Sequence, residues 1–171
     1  MAICINFVSY AEDRPGRHWK ATFDRTWARY RVWFLRSGAA MLPSYVECRQ
    51  ALRDHMPEIV PIWDELIKLS GGSDLEARFL STWRRPAYIA GCAQTIWIDA
   101  VGREAPVLLR NYDFAPALLE GCWTATRWFG RRVVSMSDCL WGSLNGINEA
   151  GLVASLSVAG ANCAVMGSAC R

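Results

Sequence analysis

From Trp19 onward the apolar positions recur at helical spacing. Trp19, Phe23, Trp27, Tyr30 and Phe34 fall three or four residues apart, which puts five aromatic rings on one helix face. Lys20, Asp24, Arg25 and Arg29 fall off that face. Core packing is the ordinary use of such a stripe, and a ligand groove is the sharper one. A second helix opens at Ser44, because Ser44 and Glu47 have the spacing at which each side chain satisfies the other's free backbone N–H. It is expected to turn Val46, Leu52 and Met56 inward. A third helix covers residues 58–70, with Ile59, Ile62, Trp63, Leu66 and Leu69 apolar. Pro61 fits only its first turn, and the pair Gly71-Gly72 ends it. Residues 74–81 read as a short fourth helix, so the stretch 1–85 is expected to be helical throughout.

After Pro86 the period changes. Residues 88–98, 106–114, 132–137 and 151–157 are rich in β-branched and aromatic types and are expected to be strands. Turn residues separate them: Gly102, Pro116, Gly130 and the run Asn145-Gly146-Ile147-Asn148. A helical front half therefore leads into a hairpin-rich sheet, with no internal repeat and no low-complexity tract.

Composition narrows the class. With 171 residues, 52% of them hydrophobic, the chain is long enough to bury a core as one domain. Nine tryptophans call for a packed interior or a wide apolar cleft. The formal charge of +3 is spread out, which argues against nucleic-acid or membrane partners; a weak basic bias over residues 25–36 reads as a solvated helix face. No apolar run approaches the roughly 20 residues that span a bilayer. The opening AICINFV lacks a basic flank and a cleavage site, so a cytoplasmic location with reduced thiols is expected. Seven cysteines without a CxxC pair, and only His18 and His55 besides, give no zinc spacing. Neither a metal nor a cofactor is implied.

The candidate chemistry gathers at Cys92. It follows Gly91 near the start of one strand, and Arg110-Asn111-Tyr112-Asp113-Phe114 lies near the end of the next. A short turn around Gly102 would pair the two as a hairpin and bring Arg110 and Asp113 back beside Cys92. A free thiol with a pKa of about 8.5 is a poor nucleophile at neutral pH, and a guanidinium favours its thiolate. Both histidines lie in the helical front. If the Gly91–Cys92 bond is cut, however, Cys92 gains an α-amine of pKa about 7.7–8.0, which can serve as base for its own side chain. Asp113 could hold that amine, and Gly91 leaves its carbonyl open to attack. Taken singly, these residues have plainer readings: a buried inert thiol, a surface Arg–Asp pair. Cys122 and Cys139 read as packed thiols, and Cys4 and Cys48 as helix-packing or partly exposed ones.

In order, GCAQ, RNYDF and SDCLWGSLNGINEAGLVASLS resemble the penicillin acyltransferase-like, autoproteolytic branch of the choloylglycine hydrolase superfamily of N-terminal nucleophile hydrolases. The front segments HMPEIVPIWDEL and RFLSTW resemble the pro-region of that branch. The resemblance implies an α+β fold: a helical pro-region over 1–91, then over 92–157 the first part of a four-layer αββα sandwich. It implies self-cleavage at Gly91–Cys92. It implies that Cys92 is the nucleophile, Arg110 the thiolate- and substrate-supporting arginine and Asp113 the amine-binding carboxylate. Asn148, Glu149 and Gly151 match a turn of the family, and the backbone N–H groups after Ser157 match part of its oxyanion hole. The partner would be a small-molecule amide or acyl donor, attacked through a Cys92 thioester; water or an amine would accept the acyl group.

Residues 158–171 read as unlike the family, and a neighbouring reading frame of permitted codons gives a glycine-rich run that resembles it. The sequence reading is thus of a truncated or frameshifted member, poorly stable and inactive, with a sheet edge open to self-association. Two other readings stand beside it. One is a non-enzymatic remnant or helical interaction fragment; the other is an ordinary cysteine enzyme using His18 or His55.

Overall fold

The computed structural model describes residues 6–86 and 91–156. These residues cluster into two compact units. One holds 6–86 and 116–156, and the other holds 91–115. The division expected at 91 and 92 rests on a proposed processing position and is a different kind of boundary from these packing units. The fold is α+β, with four α-helices and a mixed sheet among the described residues.

The larger unit starts with a four-residue strand β1 (Val8–Ala11), where a helix was expected. Helix α1 (Arg17–Phe34) carries the aromatic stripe, with Trp19, Phe23, Tyr30 and Phe34 buried. Its free N-terminal N–H groups are met by Glu12, whose carboxylate accepts from Gly16, His18 and Trp19 at 3.0–3.1 Å. Helix α2 (Tyr45–His55) has the capping box at Ser44 and Glu47. Its buried residues are Cys48, Ala51 and Leu52. Val46 is 73% exposed and Met56 46% exposed, so the expectation that both turn inward is corrected. The buried stripe follows 48, 51 and 52, and Val46 falls off it; Met56 lies past the last helical residue.

A single 3₁₀ turn (Pro57–Ile59) leads into α3 (Val60–Ser70), which has Pro61 in its first turn and ends at left-handed Gly71. Helix α4 (Asp74–Leu80) follows. The helices meet around Phe79, whose ring lies 5.1–6.4 Å from those of Trp27, Tyr30, Trp33 and Phe34.

The sheet of this unit has the order β1-β4-β5-β6-β7, with β4 (Cys122–Trp128), β5 (Arg131–Asp138), β6 (Gly142–Asn148) and β7 (Val153–Ser155). Strand β1 runs parallel to β4, and the other pairs are antiparallel. Strand β4 was not expected from the sequence. The run Asn145-Gly146-Ile147-Asn148, expected as a turn, lies inside β6. Gly146 sits where a Cβ would come within 3.1 Å of Ser135 and 3.3 Å of the Val134 carbonyl, so it marks a close strand approach instead of a bend. One face of the sheet meets the helices. The other carries the register row Ala125, Val134, Ile147, Val153, of which the last three are about half exposed (46%, 48% and 56%).

The smaller unit is an antiparallel hairpin of β2 (Gly91–Trp97) and β3 (Val107–Asp113), close to the expected strands. Residues 88–90 of the first expected strand lie outside the described residues, as do Cys4, the positions after Ser157 that match the oxyanion hole, and the tail 158–171.

Candidate functional site

The hairpin register fixes the geometry around Cys92. Gly91 stands opposite Asp113, Cys92 opposite Tyr112 and Gln94 opposite Arg110. Cross-strand partners share a face, and faces alternate along a strand. Cys92, Gln94, Arg110 and Tyr112 are therefore on one face, while Asp113, Asn111 and Ala93 are on the other. Arg110 donates from its guanidinium to the Cys92 sulfur at 3.5 Å. The same guanidinium lies 4.7 Å from the centre of the Tyr112 ring, which in turn stacks on Phe114 at 5.0 Å. A cation over an aromatic face is held there electrostatically, so Tyr112 braces Arg110 toward the sulfur. Cys92 is half-buried.

The hairpin thus brings together two of the three expected side chains. Asp113 is beside Gly91 in register but points to the far face, where its carboxylate accepts from the Asn111 amide at 2.9 Å. Tyr112 had no role in the sequence reading, although it lies inside the RNYDF motif. The signal that would have found it is the strand period, which places residue 112 on the face of residue 110.

The two histidines lie in the larger unit. His18 stacks on Tyr10 and faces Glu12 at 3.3 Å, and His55 stacks on Trp83. Cys48, Cys122 and Cys139 are buried, and burial pushes the Cys48 and Cys122 thiols above their usual range. Asn148 forms the turn expected of it: its side chain accepts from the N–H groups of Ala150 and Leu152, both at 3.0 Å.

Sequence reasoning missed Glu120, a carboxylate buried in the larger unit. It accepts from the Tyr30 hydroxyl at 2.6 Å, the Leu140 N–H at 2.5 Å and the Ser137 hydroxyl. Tyr30 also accepts from the Cys139 N–H at 3.2 Å. These bonds hold a turn in which Cys139 and Leu140 both have positive φ (50° and 77°). Burial raises the Glu120 pKa, against the lowering effect of the bonds from Ser137, Tyr30 and Leu140.

Residues 101–170 match the family model described as Acyl-coenzyme A:6-aminopenicillanic acid acyl-transferase. Over this stretch, 70 of the 171 residues, the chain is similar to that family. The acyltransferase match includes Arg110, Tyr112 and Asp113 and begins downstream of Gly91 and Cys92. It runs past Ser157, across most of the tail that the sequence reading set apart from the family. Neither a curated protein nor a solved structure matches the chain. Among the described residues no three His, Cys, Asp or Glu side chains are placed to hold a metal ion, and no helix is long and apolar enough to cross a membrane.

Proposed function

We propose that the chain derives from a self-processing cysteine amidase or acyltransferase acting on linear, non-peptide amide bonds. The observation that carries this reading is the Arg110 guanidinium donating to the Cys92 sulfur at 3.5 Å, from a strand inside the acyltransferase match. A thiolate is the nucleophile, and a cation aimed at the sulfur stabilises it over the thiol. Scission of Gly91–Cys92 frees the α-amine of Cys92, which takes the thiol proton and later returns it to the leaving amine. The acyl group passes through a thioester on Cys92, and water or a second amine releases it. Asp113 is the proposed support for the new amine. In the uncut hairpin its carboxylate lies on the far face, so cleavage must let the terminus swing toward it.

Intact mass after expression tests this. Fragments ending at Gly91 and beginning at Cys92 are expected, and Cys92→Ala should give a single uncut mass. Arg110→Ala should slow processing by about tenfold or more, the order of effect for losing one charge-assisted hydrogen bond. His18→Ala and His55→Ala should process at the rate of the unaltered chain. A single uncut mass for that chain, or cleavage that survives Cys92→Ala, overturns the proposal.

A further inference from the structure

The larger unit contains a cavity that the Cys92 reading does not use. It measures about 850 Å³ and lies between the helix-side face of the sheet and the start of α3. Small-molecule sites run from about 300 to 1,000 Å³ and are mostly apolar with a few polar groups. The floor here is β4 and β5, where Thr124 pairs with Ser135 and Thr126 with Val133. Ile59 and Ile62 form the opposite wall, and the indoles of Trp19, Trp128 and Trp141 line the sides.

The polar groups say what the cavity takes. The indole N–H groups of Trp19 and Trp141 donate to the carbonyls of Leu140 and Leu80, both at 2.9 Å, so both donors are already satisfied within the protein. Its charged residues are largely compensated. Arg14 pairs with Glu65 at 2.5 Å, Arg127 with Asp13 at 3.7 Å, and Glu12 is held by three backbone N–H groups. The lining carries both signs, Glu12, Asp13 and Glu58 with Arg14 and Arg127, so it presents no one-signed wall that would favour a charged ligand.

We infer that this cavity binds a neutral, ring-bearing small molecule, packed between Ile59, Ile62 and Val133 and the indoles of Trp128 and Trp141. The site does not rest on the Cys92 reading, and Cys92→Ala should bind the same molecules equally.

Two dyes with the same anilinonaphthalene rings test it on the full chain. N-phenyl-1-naphthylamine is neutral, and 8-anilinonaphthalene-1-sulfonate carries one negative charge. The neutral dye should bind saturably, with one site per chain, and about tenfold or more tighter than the sulfonate. Benzyltrimethylammonium should not displace it. Ile62→Trp and Val133→Phe fill the cavity and should each weaken the neutral dye by about tenfold, with the thermal transition retained. The exposed sheet face is the competing site for an apolar dye. Val134→Lys and Ile147→Lys remove that option and should leave binding intact. Equal affinity for the two dyes, displacement by the cation, or loss of binding in the lysine variants but not in the filled ones overturns the inference.

Discussion

Glu120 concentrates several obligations in one side chain. Its two oxygens serve a phenol, a hydroxyl and a backbone N–H, and through them position a turn that two L-residues enter with positive φ. Glu120→Ala would strand all three donors. A loss of about 3 kcal/mol or more is expected, read as a lower urea midpoint. Glu120→Gln keeps an oxygen for Leu140 and Tyr30 and offers an N–H₂ to Ser137, so it should fold. Because the folded-state pKa is raised above its usual 4.5, the folded chain holds this proton to higher pH than the unfolded chain does. The stability it contributes is complete below that usual value and is lost as pH rises through the raised one. The melting temperature of the unaltered protein should therefore fall relative to Glu120→Gln as pH rises. A constant gap between the two across pH would show that Glu120 does not titrate in the folded protein.

Strands β4 and β5 are joined by two residues, Phe129 (φ 48°) and Gly130 (φ 79°), between the pair Trp128 and Arg131. A two-residue hairpin with both central φ values positive favours Asn-Gly, and a bulky L-residue in the first position costs about 1–2 kcal/mol. Phe129 is 75% exposed, so little packing offsets that cost. Phe129→Asn should stabilise the chain by about 0.5–1 kcal/mol, seen as a higher melting temperature; a decrease would mean that the ring is anchored. The elements that sequence patterning revealed and those it missed divide on the same physics. Helices α1, α2, α3 and α4 were legible because wide aromatic stripes, a capping box and a glycine stop all agreed. Strand β4 was hidden because its buried face carries Cys122 and Thr124 while Trp123 faces outward, which reverses the usual apolar-inside signal. Gly146 looked like a turn residue and is a packing residue. At the site, the pairing of Cys92 and Arg110 followed from hairpin logic. The far-side placement of Asp113 needed the register, because a single residue of slip exchanges the faces.

Across the larger unit, the sheet face away from the helices presents Val134, Ile147 and Val153 in one register row, with Trp123 beside it at 39% exposure. Contiguous exposed apolar rows promote association. Replacing Val134 and Ile147 together by lysine should shift the protein toward monomer in size-exclusion chromatography and raise its soluble yield. Unchanged elution would mean that this face takes no part in self-association.

The parallel pairing of β1 with β4 joins residues 8–11 to residues 122–125. The indoles of Trp19 and Trp141 reach in opposite directions along the chain, over 121 and 61 residues, to the carbonyls of Leu140 and Leu80. Residues on both sides of Gly91–Cys92 thus interlock in one hydrogen-bonded body. A chain severed at that bond would not fall apart: its two pieces would travel as a single particle in native conditions and separate only in denaturant. Either piece made alone would lack strands or helices that the other supplies. Rejoining them from the separated state would be a bimolecular step whose rate rises with concentration.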